Sequence, residues 1–155
     1  MLSVALFEPE IPPNTGNIAR LCAANQIVLH IVGVPGFRLD DRAVRRAVLD
    51  YWPEVILRRH AGLPELYSAL PTARFLYLST KGHKSYLDWR FDGDDCLLFG
   101  SETRGLPEEV LRANPEHTLR IPMLNPRVRS LNLATAAGIV LYEALRQTDA
   151  FSSFT

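Results

Sequence analysis

The chain has 155 residues, 47% hydrophobic and 22% charged, a balance that fits one globular domain with a real core and excludes a disordered or membrane-embedded chain. Its 17 basic and 17 acidic residues cancel, so affinity for nucleic acid has to come from local clusters rather than bulk attraction. The opening MLSVALFEPE lacks a signal-peptide pattern and no stretch approaches the roughly 18 apolar residues of a spanning helix, so a single cytoplasmic domain over residues 1–155 is expected.

The apolar run from Leu2 to Phe7 reads as a buried strand that ends where Pro9, Pro12 and Pro13 interrupt regular structure. Asn14 is placed to cap a helix over Thr15–Asn25, with Ile18, Leu21 and Cys22 at helical spacing. A strand at Ile27–Val32 follows, then a helix capped by Asp40 or Asp41 and running to about Leu49. Next come a strand at Val55–Leu57, a helix at Leu63–Ala69, a strand at Arg74–Ser79 and a polar loop from Thr80 to Asp95. Cys96–Phe99 is a continuous apolar strand, Pro107 opens a short helix to about Ala113, and His117–Ile121 is the last strand. Ser130 is the expected cap of a helix to Gln147 that is apolar nearly all round, hence buried on more than one side. In a chain this small the second covering surface is expected to be a partner subunit, giving a homodimer.

Alternating strands and helices specify an α/β fold with a mainly parallel sheet flanked by helices, and ligands in such folds bind beyond the carboxyl ends of strands. Cys22 and Cys96 sit in apolar contexts without metal-site spacing, so they read as reduced core residues and no metal is expected. Basic clusters at Arg38, Arg42, Arg45, Arg46, Arg58, Arg59 and His60, and at Arg127 and Arg129, are either solvated faces or RNA contacts.

Three loops combine Gly, Pro, Asn, Ser and Arg. In the first, Asn17 and Arg20 share a helix face near Asn14 at the positive helix end, a setting for a phosphate or a developing oxyanion. In the second, Gly100 and Gly105 allow tight turns around Glu102, in a spacing that matches neither the dinucleotide fingerprint nor the phosphate loop, because Leu106 stands where the latter needs lysine. The third runs from Ile121-Pro122-Met123 to Arg129-Ser130-Leu131-Asn132, with apolar walls, arginines and a helix start.

Asn14-x5-Arg20, Gly100-x-Glu102-x2-Gly105-Leu106-Pro107, and Ile121-Pro122-Met123 followed by Ser130-Leu131-Asn132-Leu133 resemble, in order, the three motifs of the SPOUT methyltransferases. The segment Phe7–Cys22, with Leu49-Asp50-Tyr51 and Thr80-Lys81-Gly82, more narrowly resembles the minimal branch of that class, which methylates the 2′-hydroxyl of the tRNA wobble nucleotide. The resemblance implies a C-terminal trefoil knot, S-adenosylmethionine as cofactor, the anticodon stem-loop of tRNA as partner, and a dimer with its active site shared between subunits. It assigns Leu78, Ser79, Gly100, Ser101, Glu102, Gly105, Ile121, Met123, Ser130 and Leu131 to the cofactor. Catalysis falls to Asn14, Arg20, Ser130 and Asn132, and substrate binding to Asn17, Arg20, Arg129 and Tyr142. Two departures bear on the methyl-donor edge: Ala134 replaces a frequent serine, and Pro126-Arg127-Val128-Arg129 lengthens the approach to Ser130. The alternatives are the same chemistry on ribosomal RNA or another tRNA position, and an RNA- or nucleotide-binding module without catalysis.

Overall fold

A computed structural model describes residues 1–154 and contains one seven-stranded sheet in the order β3-β2-β1-β6-β4-β7-β5, parallel at every paired register. The strands are β1 (Ser3–Phe7), β2 (Val28–Val32), β3 (Ile56–His60), β4 (Arg74–Leu78), β5 (Lys84–Ser85), β6 (Asp95–Phe99) and β7 (Thr118–Arg120). Five helices join them: α1 (Pro12–Ala24), α2 (Arg42–Val48), α3 (Leu63–Ala69), α4 (Glu108–Ala113) and α5 (Leu133–Gln147). Parallel strands need crossovers that cover both faces of the sheet, which is why most inner strands read as largely apolar runs.

Alternate residues of one strand feed two cores. Val4, Leu6, Leu97 and Phe99 pack with Ile18 and Cys22 of α1, Val48 of α2 and Ala137, Val140 and Leu141 of α5. Ala5, Cys96 and Leu98 point the other way, toward Leu63 and Leu66 of α3 and toward Leu106, with Val110 and Leu111 of α4 at the margin. Both cysteines are buried and unpaired, and burial pushes their thiols up to about 12, so they are inert core residues. Among the described residues no helix is long and apolar enough to cross a membrane, and no group of three or more His, Cys, Asp or Glu could hold a metal ion.

Several boundaries differ from expectation for identifiable reasons. Helix α1 starts at Pro12, with Ile11 as its N-cap, so Asn14 lies inside the first turn and is not the cap. Pro12 and Pro13 occupy the first two positions, where a missing N–H costs nothing because those donors have no intrahelical partner. Asn132, not Ser130, caps α5, accepting from the Thr135 N–H at 3.1 Å. The Thr80–Asp95 loop contains β5 and a single turn at Tyr86–Asp88, and a tight helical turn spans Leu49–Glu54.

The order of strands carries a crossing. β7 lies between β4 and β5, so the 79–83 segment joining those two has to pass over β7. It does so in direct contact: Ser79 N–H donates to the Leu119 carbonyl at 2.9 Å, and a Cβ on Gly82 would stand 2.8 Å from the Leu119 carbonyl carbon. Only glycine passes there.

Candidate active site

At the carboxyl end of the sheet, the termini of β1, β6, β4 and β7 are level, through the pairings Leu6 with Phe99, Phe99 with Leu78, and Leu78 with Leu119. This is also where the strand order reverses direction away from β1, the place where open parallel sheets leave a crevice. A cleft of about 790 Å³ opens there.

Its second wall is the 100–105 loop. Gly105 N–H donates to the Ser101 carbonyl at 2.9 Å, closing the turn, and Gly105 adopts φ 67°, the left-handed region that glycine enters without strain. A Cβ on Gly100 would stand 2.1 Å from the Gly105 carbonyl carbon, so the loop folds over its own first residue and leaves no room for a side chain. Both glycines are therefore required by the path of the wall rather than by local flexibility.

Glu102 ties this wall to α1. Its carboxylate accepts from the Glu10 and Ile11 N–H groups, both at 2.8 Å, and from Asn14 Nδ2 at 3.2 Å. The negative charge sits at the positive end of α1, supplying the cap that Ile11 cannot. Glu10 answers by accepting from the Thr103 N–H and hydroxyl, which hold its carboxyl below the usual range. Asn14, buried, also accepts from Asn132 Nδ2 at 3.0 Å, and Asn132 caps α5. A single chain of hydrogen bonds thus links the 100–105 loop, α1 and α5.

Every residue expected to contact the cofactor lines this cleft: Leu78, Ser79, Gly100, Ser101, Glu102, Gly105, Ile121, Met123, Ser130 and Leu131. Asn14, Asn132 and Arg129 line it too. Phe99, Leu119, Leu133 and Ala136 add to the apolar surface, with Ile11, Leu106 and Leu111, and were not assigned to the cofactor from the sequence. Thr80 and Lys81 also line it, at the strap crossing β7.

Three assigned residues lie elsewhere. Asn17 and Arg20 are exposed on α1 outside the cleft lining, and Arg20 stands over the Tyr51 ring at 5.4 Å. Tyr142 is half-exposed on α5, where its hydroxyl accepts from Asn25 Nδ2 at 3.4 Å beyond the far end of α1 and its ring meets Phe151.

Apolar walls of this volume suit an adenosine-sized ligand, and the one carboxylate among the lining residues is already occupied by three donors. The cleft therefore has the size and apolar lining for the adenosine part of S-adenosylmethionine.

A parallel sheet with its cleft at the switch point, walled by a glycine-closed loop, defines an α/β ligand-binding enzyme scaffold, and the comparisons place it. Residues 1–142 match the SpoU rRNA Methylase family, and the chain belongs to that family. It is 47% identical over 148 residues to a tRNA (cytidine(34)-2'-O)-methyltransferase of Escherichia coli K12, covering 95% of this chain and 94% of that one. A solved structure described as giving structural insights into the 2-OH methylation of C/U34 on tRNA superposes with TM-score 0.90 at 51% identity, covering 95% of each chain. The SpoU methyltransferase AviRb of Streptomyces viridochromogenes, solved in complex with AdoMet, gives TM-score 0.82 at 27% identity, over 95% of this chain and 60% of that one.

Proposed function

We propose that this chain is an S-adenosylmethionine-dependent tRNA methyltransferase that acts on the ribose 2′-hydroxyl of the first anticodon nucleotide, a cytidine or uridine. The observation that carries the reading is the convergence of three distant loops, all ten expected cofactor residues included, on one cleft. Relatives named for that reaction at close to half identity over nearly the whole chain support it.

When bound, S-adenosylmethionine supplies a methyl group already activated on a sulfonium. What remains for the protein is to hold the ribose hydroxyl in line, exclude water and favour its alkoxide form. Arg20 is the residue for the last task. A guanidinium keeps its proton in proteins, so Arg20 stabilises the developing oxyanion and fixes the neighbouring phosphate, and the proton leaves through that phosphate or water. Asn14 and Asn132 keep the helix starts in register, and Ser130 and Arg129 face the incoming RNA at the cleft mouth.

Arg20, Asn17 and Tyr142 lie away from the cleft of their own protomer, which supports an active site completed by a second copy. The apolar residues of α5 that its own core leaves partly open and that lie outside the cleft, Ala134 and Ile139, and the exposed Val128, supply surface for a homodimer. The strap crossing β7 at Gly82, against Thr118 and Leu119, supports a trefoil knot. A tRNA-modifying enzyme of this kind works in the cytoplasm.

The test is incubation with bulk tRNA and methyl-labelled S-adenosylmethionine, followed by nuclease digestion and mass spectrometry. A 2′-O-methyl at the first anticodon nucleotide is expected, with Arg20→Ala slowing transfer by about 10²–10³-fold, the usual cost of losing an oxyanion donor. Label on a base or in ribosomal RNA overturns the reading.

A further inference from the structure

We propose that Tyr51 is a positioning residue for Arg20, its ring face holding the guanidinium so that every N–H remains available to the substrate. The inference rests on the role given to Arg20 above.

Arg20 lies on the exposed side of α1, and among the described residues it has neither an ion pair nor a hydrogen bond; its guanidinium stands over the Tyr51 ring, 5.4 Å from Cζ to the ring centre. Three arginines are held by carboxylates instead, Arg74 in a fork to Asp95, Arg38 to Asp40 and Arg146 to Glu143, while Arg45 over Trp52 shares the ring contact and Arg74 adds one with Trp89. A carboxylate partner consumes two of the five guanidinium donors, whereas an aromatic face attracts the cation and consumes none. An arginine that must grip an oxyanion and a phosphate needs its direction fixed and its donors free, and the ring supplies both.

The local backbone is built to deliver that ring. Helix α2 ends at Val48, and Leu49 takes φ 60°, a left-handed conformation strained for a branched side chain. Leu49 is 53% exposed, so burial of its side chain does not account for the strain. The strained residue starts the tight turn Leu49–Glu54. Trp52 anchors that turn against the main core and receives Arg45 at 5.5 Å, which leaves Tyr51 outside, over α1. The approach of α2 to α1 depends on Gly16, where a Cβ would stand 2.5 Å from the Val44 carbonyl oxygen. Gly16, Leu49 and Trp52 together set the Tyr51 ring against a side chain one turn along α1 from Gly16.

The experiment measures kcat and both KM values for Tyr51→Leu, Tyr51→Met, Tyr51→Phe and Arg20→Ala, with thermal melting and S-adenosylmethionine binding for each. Leu and Met are expected to lower kcat about tenfold, the scale of one cation–ring contact, with both KM values, melting and cofactor binding close to wild type. Phe, which keeps the ring face, is expected to retain most of the turnover. Three outcomes overturn the inference: unchanged kcat in Leu and Met, a rise confined to the KM for tRNA, which makes Tyr51 an RNA-stacking residue, or a Phe variant as slow as Leu. Full turnover in Arg20→Ala would instead overturn the role of Arg20 itself, so the two failures are distinguishable.

Discussion

Glu102 is an acidic residue in a methyl-transfer cleft, yet its bonds describe a clamp rather than a base. Both oxygens are occupied by N–H donors from residues at the start of α1. Glu102→Gln is nearly the same shape but turns one acceptor into a donor facing another donor, and removes the charge at the helix end. Hydrogen bonds to charged groups contribute about 1.5–3 kcal/mol each, so urea titration of this variant should show a loss on that scale. Calorimetry should show weaker S-adenosylmethionine binding as the 100–105 loop loosens. Which residues line the candidate cleft was legible in the sequence because Gly100, Glu102, Gly105, Ser130 and Asn132 fall in ordered motifs at the ends of recognisable strands. The capping role of Glu102 was not, since it connects residues 102 and 10 through contacts that no local pattern encodes. The same holds for Asn14, whose helix position depends on reading Pro12 and Pro13 as first-turn residues instead of breakers.

At the level of elements, the pair of helices α1 and α2 sets how precisely the first loop is held. Helix propensity alone says that Gly16→Ala should stabilise α1 by about 1 kcal/mol. Packing says the reverse, because the new methyl would meet the Val44 carbonyl at 2.5 Å and Ala47 Cβ at 2.6 Å, and overpacking against backbone costs about 1–3 kcal/mol. Packing is the larger effect, so a lower melting temperature is expected, together with reduced turnover as the Leu49–Glu54 turn shifts from Arg20. Inner strands were readable to within a residue or so, since burial on both faces leaves a largely apolar signature in β1, β2, β4 and β6, interrupted inside a strand only by His30 of β2. Edge elements were not. β3 continues through Arg58 and Arg59, which are exposed at the sheet margin, to His60, whose Nε2 pairs with Nδ1 of buried His30 at 2.8 Å, and β5 is two residues held only by β7.

For the whole molecule, the separation of Arg20 from the cleft gives a test of the shared site. Mixing Arg20→Ala with Ser130→Trp, an exposed position whose new side chain fills the cleft, yields two proteins that are each inactive alone. In the proposed homodimer, random reassortment makes half the dimers mixed, each with one intact site, so activity should recover to about a quarter of wild type. No recovery would mean each protomer works with its own Arg20. The position of β7 has a different kind of consequence, one that concerns birth order. It is the final strand to leave the ribosome, yet it belongs between two strands made before it, under a segment that is already synthesised by then. Contacts of such long range form slowly, and until they form β4 presents an open edge and the cleft has no floor. A nascent chain halted short of Thr118 therefore carries most of the apolar core but none of the finished site, so competence in this enzyme arrives at once and last.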